Sequence, residues 1–312
     1  MNKFIGLNRV CVPLSMDCDL SCRYCYRNVG RIPVVPELND LMREYVSQLD
    51  PTKTQALVAS GGEPLLHFDK VKELFSLAPK GQLKRVMTNG LNLTKEMVKF
   101  FNDGHTETFV SHDGNVTEWL RGVDILKDPD IKKLLMDVEH LTISSCCTAK
   151  NPDPYKCYLE IKKVLNRPFY FHWNAIFSDS FMPKELIEGF DYEAFQAGAA
   201  HCELLELDWK NPVPLHYKGV GVNVLPNGDL VGMAEIHHKY GTVLSSPEEV
   251  LASKRKWGDL KPCEDLNCPV VSNCRTSGQN KSPHFCECRK RTLALRTAIH
   301  MVDRNNDSEF CL

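Results

Sequence analysis

The run Cys18-Asp19-Leu20-Ser21-Cys22-Arg23-Tyr24-Cys25 places three cysteines at C-x3-C-x2-C spacing near the start of a 312-residue chain. Thiols this close together on one loop suit a metal centre, and the rest of the chain must fold so as to hold that loop. A fully ligated iron–sulfur cube takes four thiolates. Three would hold three irons and leave the fourth open, the same logic that separates catalytic from structural zinc sites. A zinc knuckle or three buried thiols are the plainer alternatives. C-x2-C by itself favours zinc, whereas C-x3-C-x2-C opening an α/β pattern is a narrower signal.

The chain is long enough for a barrel-sized domain plus a small appendage. A net charge of −2 gives no global field to recruit nucleic acid or an anionic membrane. No apolar run reaches the length of a transmembrane helix. Met1 to Gly6 lack the apolar stretch of a signal peptide. Fourteen cysteines is the compositional outlier. Disulfide frameworks belong to small secreted domains with little core, and this chain has ample apolar pattern. Its cysteines also gather towards the two ends in ligand-like spacings, which points to metal–sulfur ligation in a reducing cytoplasm.

Apolar strands alternate with amphipathic helices. Strands are predicted at Arg9–Leu14, Gln55–Ser60, Leu83–Met87, Glu107–Val110, His140–Ser145 and Phe169–Ile176. Helices are predicted from Pro36 through Leu49, over Asp69–Leu77, after Thr94, and over Asp153–Leu165. Alternation of this kind makes βαβ units and a parallel sheet. Six units are too few for a closed eight-stranded barrel, so the fold class expected is α/β, a partial (β/α)6 barrel. Near residue 200 the character changes. Gly219–Val231 reads as a hairpin about Pro226-Asn227-Gly228, and Ser246–Lys254 as a short helix. The expected division is a barrel over 1–200 and a small cysteine-rich domain over 201–312.

Polar, glycine-containing turns follow the strands, on the edge that carries chemistry in this class of fold. They are Ser60-Gly61-Gly62-Glu63-Pro64, Thr88-Asn89-Gly90, and Ser111-His112-Asp113-Gly114 with Arg121 beyond it. Two glycines let a backbone approach a ligand closely, and Glu63 offers a carboxylate to an ammonium group. Each turn alone is ordinary loop punctuation. In this order, with the cysteine loop and the aromatic Tyr24 before its third cysteine, they resemble the radical S-adenosylmethionine (radical SAM) superfamily. The resemblance covers roughly residues 8–180.

The resemblance implies a [4Fe–4S] cluster on Cys18, Cys22 and Cys25, with S-adenosylmethionine chelating the open iron. Tyr24, Gly61, Gly62, Glu63, Pro64, Asn89, Ser111, Asp113 and Arg121 would line the cofactor, Ser111 and Asp113 near its ribose and carboxylate. It further implies reductive cleavage to a 5′-deoxyadenosyl radical that removes a hydrogen atom from a C–H bond.

Towards the C-terminus, Cys263, Cys268, Cys274, Cys286 and Cys288 suit a zinc ribbon or an iron–sulfur site. With Val224–Leu230 leading in, the region resembles the SPASM domain of sulfatase and peptide maturases, which holds two auxiliary clusters. Here the chain departs from the pattern. Met233 and Gly278 stand where two further thiolates are expected, which leaves ligands for one auxiliary cluster, completed by Cys286 or Cys288. Two [4Fe–4S] clusters are therefore expected in all.

Cys146-Cys147 end the fifth strand, where one of two successive side chains must face inward and could donate a hydrogen atom or handle substrate. Cys11, Cys157, Cys202 and Cys311 read as packing residues, and His237-His238 as a surface pair. The expected substrate is a ribosomally made peptide. The barrel pattern begins near residue 8 with no leader-binding domain before it, so either a separate leader-binding protein presents the peptide or its core sequence is recognised. A small-molecule dehydrogenase with one auxiliary cluster is the alternative, and an iron–sulfur electron carrier a third, disfavoured because a carrier has no use for Gly61–Pro64. Flavodoxin or ferredoxin would be the electron donor.

Overall fold

A computed structural model describes residues 7–25, 38–175, 220–232 and 239–255, with the short stretches 183–186, 188–191, 193–195, 197–198 and 201–202. Six parallel strands follow one another in space as in sequence: β1 (Leu7–Pro13), β2 (Thr54–Ser60), β3 (Leu83–Thr88), β4 (Glu107–Ser111), β5 (Leu141–Cys147) and β6 (Tyr170–Ala175). Each lies within a residue or two of its predicted position. The helices between them are α1 (Asp40–Ser47), α2 (Phe68–Leu77), α3 (Lys95–Asp103), α4 (Thr117–Arg121), α5 (Pro129–Asp137) and α6 (Pro154–Leu165).

Local signals set these boundaries. Thr94 caps α3 through Met97 N, and Met97, Val98 and Phe101 bury its apolar face. Asp153 caps α6 through Tyr155 N and Lys156 N, with Pro154 at the first helical position. The first helix starts later than its pattern suggests. Its cap is Asn39, which accepts from Met42 N; Pro36 lies outside the described residues. Helices α4 and α5 were not foreseen, although Asp128-Pro129, which caps α5, carries the start signal.

The sheet does not stop at the barrel strands. The predicted hairpin forms β7 (Val220–Val224) and β8 (Asp229–Gly232), turning at Gly228 with φ of 82°. β7 pairs parallel with β1, and β9 (Lys239–Thr242) pairs antiparallel with β8. One nine-stranded sheet results, ordered β6-β5-β4-β3-β2-β1-β7-β8-β9. Strands on both sides of the composition change near residue 200 therefore share one sheet. A last helix, α7 (Pro247–Arg255), follows β9. The five C-terminal cysteines expected as ligands, Met233 and Gly278 lie outside the described residues.

Alternation along the strands sorts the side chains. Val10, Val12, Leu57, Ala59, Val86, Val110 and Ile143 join the helices in the main core. Cys11, Ala56 and Val58 face the other way, with Leu83 and Met87 against them. The sheet curls around that second face. β6 and β1 are separated by four strands, roughly 24 Å if flat, yet His172 of β6 feels the charge of Arg9 on β1. This is the open, partial barrel expected. Among the described residues no helix is long and apolar enough to cross a membrane.

Candidate active site

The cysteine loop leaves β1 at Leu14 and is clamped from four sides. The turn after β2 holds its first part: Gly62 N donates to Ser15 O and Glu63 N to Asp17 O, both at 2.7 Å. A side chain at Gly61 or Gly62 would collide with the carbonyls of Ser15, Met16 and Asp17, and Gly61 has φ of 125°. The two glycines thus serve close approach to the cysteine loop itself, a nearer partner than the bound ligand that the sequence suggested. The turn after β3 holds the second point, since Asn89 Nδ2 donates to Asp19 Oδ1 at 2.6 Å and Asn92 to Asp19 Oδ2. Helix α4 holds the third. Arg23 N donates to Leu120 O at 2.8 Å, and its guanidinium donates to Trp119 O while lying over that indole.

The fourth clamp is a buried polar hub. Asp113, with 0% of its surface exposed, accepts from Tyr24 Oη and Arg121 Nε at Oδ2, both at 2.7 Å. Its Oδ1 accepts from Cys146 N at 2.6 Å. Arg121 also stacks over the Tyr24 ring at 5.1 Å. Burial pushes the Tyr24 phenol well above its ordinary value, so it stays a hydroxyl donor. Four residues predicted for the site, Tyr24, Asp113, Arg121 and Cys146, are thereby in mutual contact. Both Asp113 oxygens are already engaged by protein, which makes it a positioning residue here.

Glu63 is also engaged from within. Thr88 Oγ1 and Leu65 N donate to its Oε1, and Asn89 N donates to Oε2 at 2.7 Å. Its carboxyl is pushed up to about 7 by burial, against the pull of those donors. The residue locks the turns after β2 and β3 to one another. Pro64 opens the short 3-10 turn that follows. Ser111, half-buried at the end of β4, has the inward phase of Phe109, the side away from the Val110 core. Cys146 shares the inward phase on β5, while Cys147 is fully buried beside Cys157 on the helix side.

Asp19, Arg23 and Asn92 were missed by sequence reasoning. Each is a short-range turn or loop residue whose partner lies far along the chain, so spacing carries no signal for it.

The three cysteines fit an iron–sulfur cube. They sit on one clamped loop, and Cys22 is in electrostatic contact with both Cys18 and Cys25. Burial raises the Cys22 thiol, and the Arg121 cation beside it pulls the other way; an iron–sulfur cluster takes such cysteines as thiolates. Residues 12–135 match the description "Radical SAM superfamily". That stretch is a radical SAM domain. Among curated proteins none matches the chain in sequence.

Solved structures match it in fold. "Native anSMEcpe with bound AdoMet" superposes with a TM-score of 0.67 at 14% identity, covering 96% of this chain and all of that one. SuiB from Streptococcus suis, solved with its precursor peptide SuiA, gives 0.59 at 15% identity over 86% of this chain and 71% of that one. A further anSMEcpe structure holds AdoMet and a Cp18Cys peptide, with a TM-score of 0.66 at 15% identity, covering 96% of this chain and 99% of that one. At these identities the likeness is one of fold.

Proposed function

We propose that this protein generates a 5′-deoxyadenosyl radical from S-adenosylmethionine and uses it to modify a ribosomally made peptide. The carrying observation is the three-cysteine loop held by Gly61-Gly62 and by the Asp113 hub within a radical SAM domain. A [4Fe–4S] cluster on Cys18, Cys22 and Cys25 would supply the electron that cleaves the S–C5′ bond. The protein's own residues orient and exclude. Asp113 and Arg121 fix Tyr24, the residue before the third cysteine. Glu63 and Asn89 fix the turns over which the methionine end would lie, and Ser111 offers a hydroxyl to the cofactor. Cys146 presents a protonated thiol to the enclosed side of the sheet, where substrate would meet the radical.

A peptide substrate is supported by the fold shared with anSMEcpe and SuiB, both solved with peptides. Under this reading residues 201–312 complete the fold with one auxiliary cluster, and flavodoxin or ferredoxin in the cytoplasm reduces the clusters.

The test is anaerobic reconstitution followed by dithionite and S-adenosylmethionine. The protein should form 5′-deoxyadenosine, and replacing Cys18, Cys22 and Cys25 together by Ala should abolish it. Turnover retained in that variant would sink the reading. A short reading frame beside the gene, encoding a Cys- or aromatic-rich peptide, supplies the substrate to be assayed by mass change.

A further inference from the structure

The inner face of the curled sheet carries a positive charge that the described residues do not balance. Alternation turns Arg9 and Cys11 of β1, Arg85 of β3, Glu107 and Phe109 of β4, and His172 of β6 to this side. Arg85 is partnered: its Nε donates to Glu107 Oε2 at 2.7 Å, and its guanidinium lies over the Phe109 ring, 4.2 Å from the centroid. Phe109 meets the His172 ring edge-on at 5.9 Å. Arg9 has no such partner. Among the described residues no acceptor reaches its guanidinium, and the groups that act on it are the Cys11 thiol and the Arg85 cation.

Neither of the remaining titratable neighbours is an anion. Burial pushes the Cys11 thiol up to about 11, and His172 is pulled down to about 3, by burial first and then by the two arginines. With Glu107 spent on Arg85, one cation is left over among the described residues. A buried charge is costly unless something pairs with it. Arg9 and His172 lie deep in the protein and yet keep accessible surface, as side chains lining an internal space do.

We infer that this internal space binds a carboxylate group of the substrate, with Arg9 as its main partner and Arg85 beside it. Calling the ligand a substrate rests on the radical chemistry proposed above; the anion site itself does not. A guanidinium presents a planar fork that matches a carboxylate with two parallel hydrogen bonds. Arg9 lies five residues before Leu14, where the cysteine loop begins, about 16 Å along the strand at roughly 3.3 Å per residue. An acidic side chain or a chain terminus reaching down from the radical centre would be anchored there, and both sources present the same group.

The test measures thermal unfolding of the full chain, without S-adenosylmethionine, in acetate, chloride or sulfate at matched ionic strength. Acetate should raise the midpoint saturably, by about 2–4 °C at ten times its dissociation constant, while chloride and sulfate should not. Arg9→Met should be the more stable protein without anions and should lose the acetate response. Arg9→Lys, which keeps the charge and loses the fork, should bind acetate at least about tenfold more weakly. An acetate response equal in wild type and both variants overturns the site, and a larger sulfate response overturns the carboxylate assignment. N-acetylglycine and N-acetylglutamate α-amide then separate the two sources; the one giving the larger Arg9-dependent shift is the group bound. Formation of 5′-deoxyadenosine is read on the same preparation, so its absence would count against the radical reading alone.

Discussion

Strand alternation gives Cys146 and Cys147 different surroundings, and so different chemistry. Cys146 lies against Tyr24, Asp113 and Arg121 on the enclosed side, with its thiol pushed up to about 12, by burial first and then by the Asp113 charge. It remains S–H at neutral pH. Cys147 has no exposed surface and packs towards Cys157 on the helix side. Cys147→Ala should therefore act as a core truncation, costing about 1–2 kcal/mol in denaturant unfolding, with 5′-deoxyadenosine formation intact. Cys146→Ala should leave the unfolding midpoint near wild type and change the yield or identity of the modified peptide by mass spectrometry. Equal effects of the two substitutions on the peptide product would remove Cys146 from the reaction. The sequence showed that one of the pair must face inward. Which one depends on the phase of β5, which is set by Ile143 in the outer core, and a pair of identical residues carries no mark of that phase.

At the scale of elements, the turns after β2, β3 and β4 act on the cysteine loop before they act on any ligand. Their order and their place after strands were legible from alternation and glycine punctuation alone. Their partners were not, because Gly62 meets Ser15 and Asp17, and Asn89 meets Asp19, across long stretches of chain. Glu63 is the joint between two of these turns, and its titration exposes the joint. Burial raises its carboxyl from 4.5 to about 7. A carboxyl with a raised folded-state pKa holds its proton more tightly in the folded chain. The stability it lends is then fully present below pH 4.5 and is lost as pH rises towards 7. The shift corresponds to about 3.4 kcal/mol at most. The unfolding midpoint of the cluster-free protein should fall between pH 5 and 7.5, and Glu63→Gln should flatten that fall. A profile unchanged by the substitution would mean that Glu63 ionises at its ordinary value, held by Thr88, Asn89 and Leu65.

For the whole molecule, the composition change near residue 200 does not separate the sheet. β7 leaves the far side of that change and pairs with β1, so the hairpin is built onto the strand that feeds the cysteine loop. Asn39 of the α1 cap also donates to Pro226 O at the hairpin turn, 2.6 Å away. The hairpin was readable from Asn227-Gly228; its parallel docking on β1 was not, because a turn signal says nothing about a third strand. The cysteines beyond it carry the remaining question, which is the number of clusters. Two cubes bring ~8 Fe per chain, and a complete pair of auxiliary clusters would bring ~12. We expect the smaller number. Met233 offers a neutral thioether where a charged thiolate is needed, and Gly278 offers no side chain. The Cys18/Cys22/Cys25 triple-alanine variant isolates the second site and should retain ~4 Fe with the spectrum of a four-cysteine cluster. Substituting Cys263, Cys268 and Cys274 instead should leave ~4 Fe in the barrel and still permit cleavage of S-adenosylmethionine, because that cleavage needs only the open-iron site. Zinc in place of iron in the first variant, or ~12 Fe in the native protein, would overturn this assignment of the C-terminal cysteines while leaving the barrel site untouched.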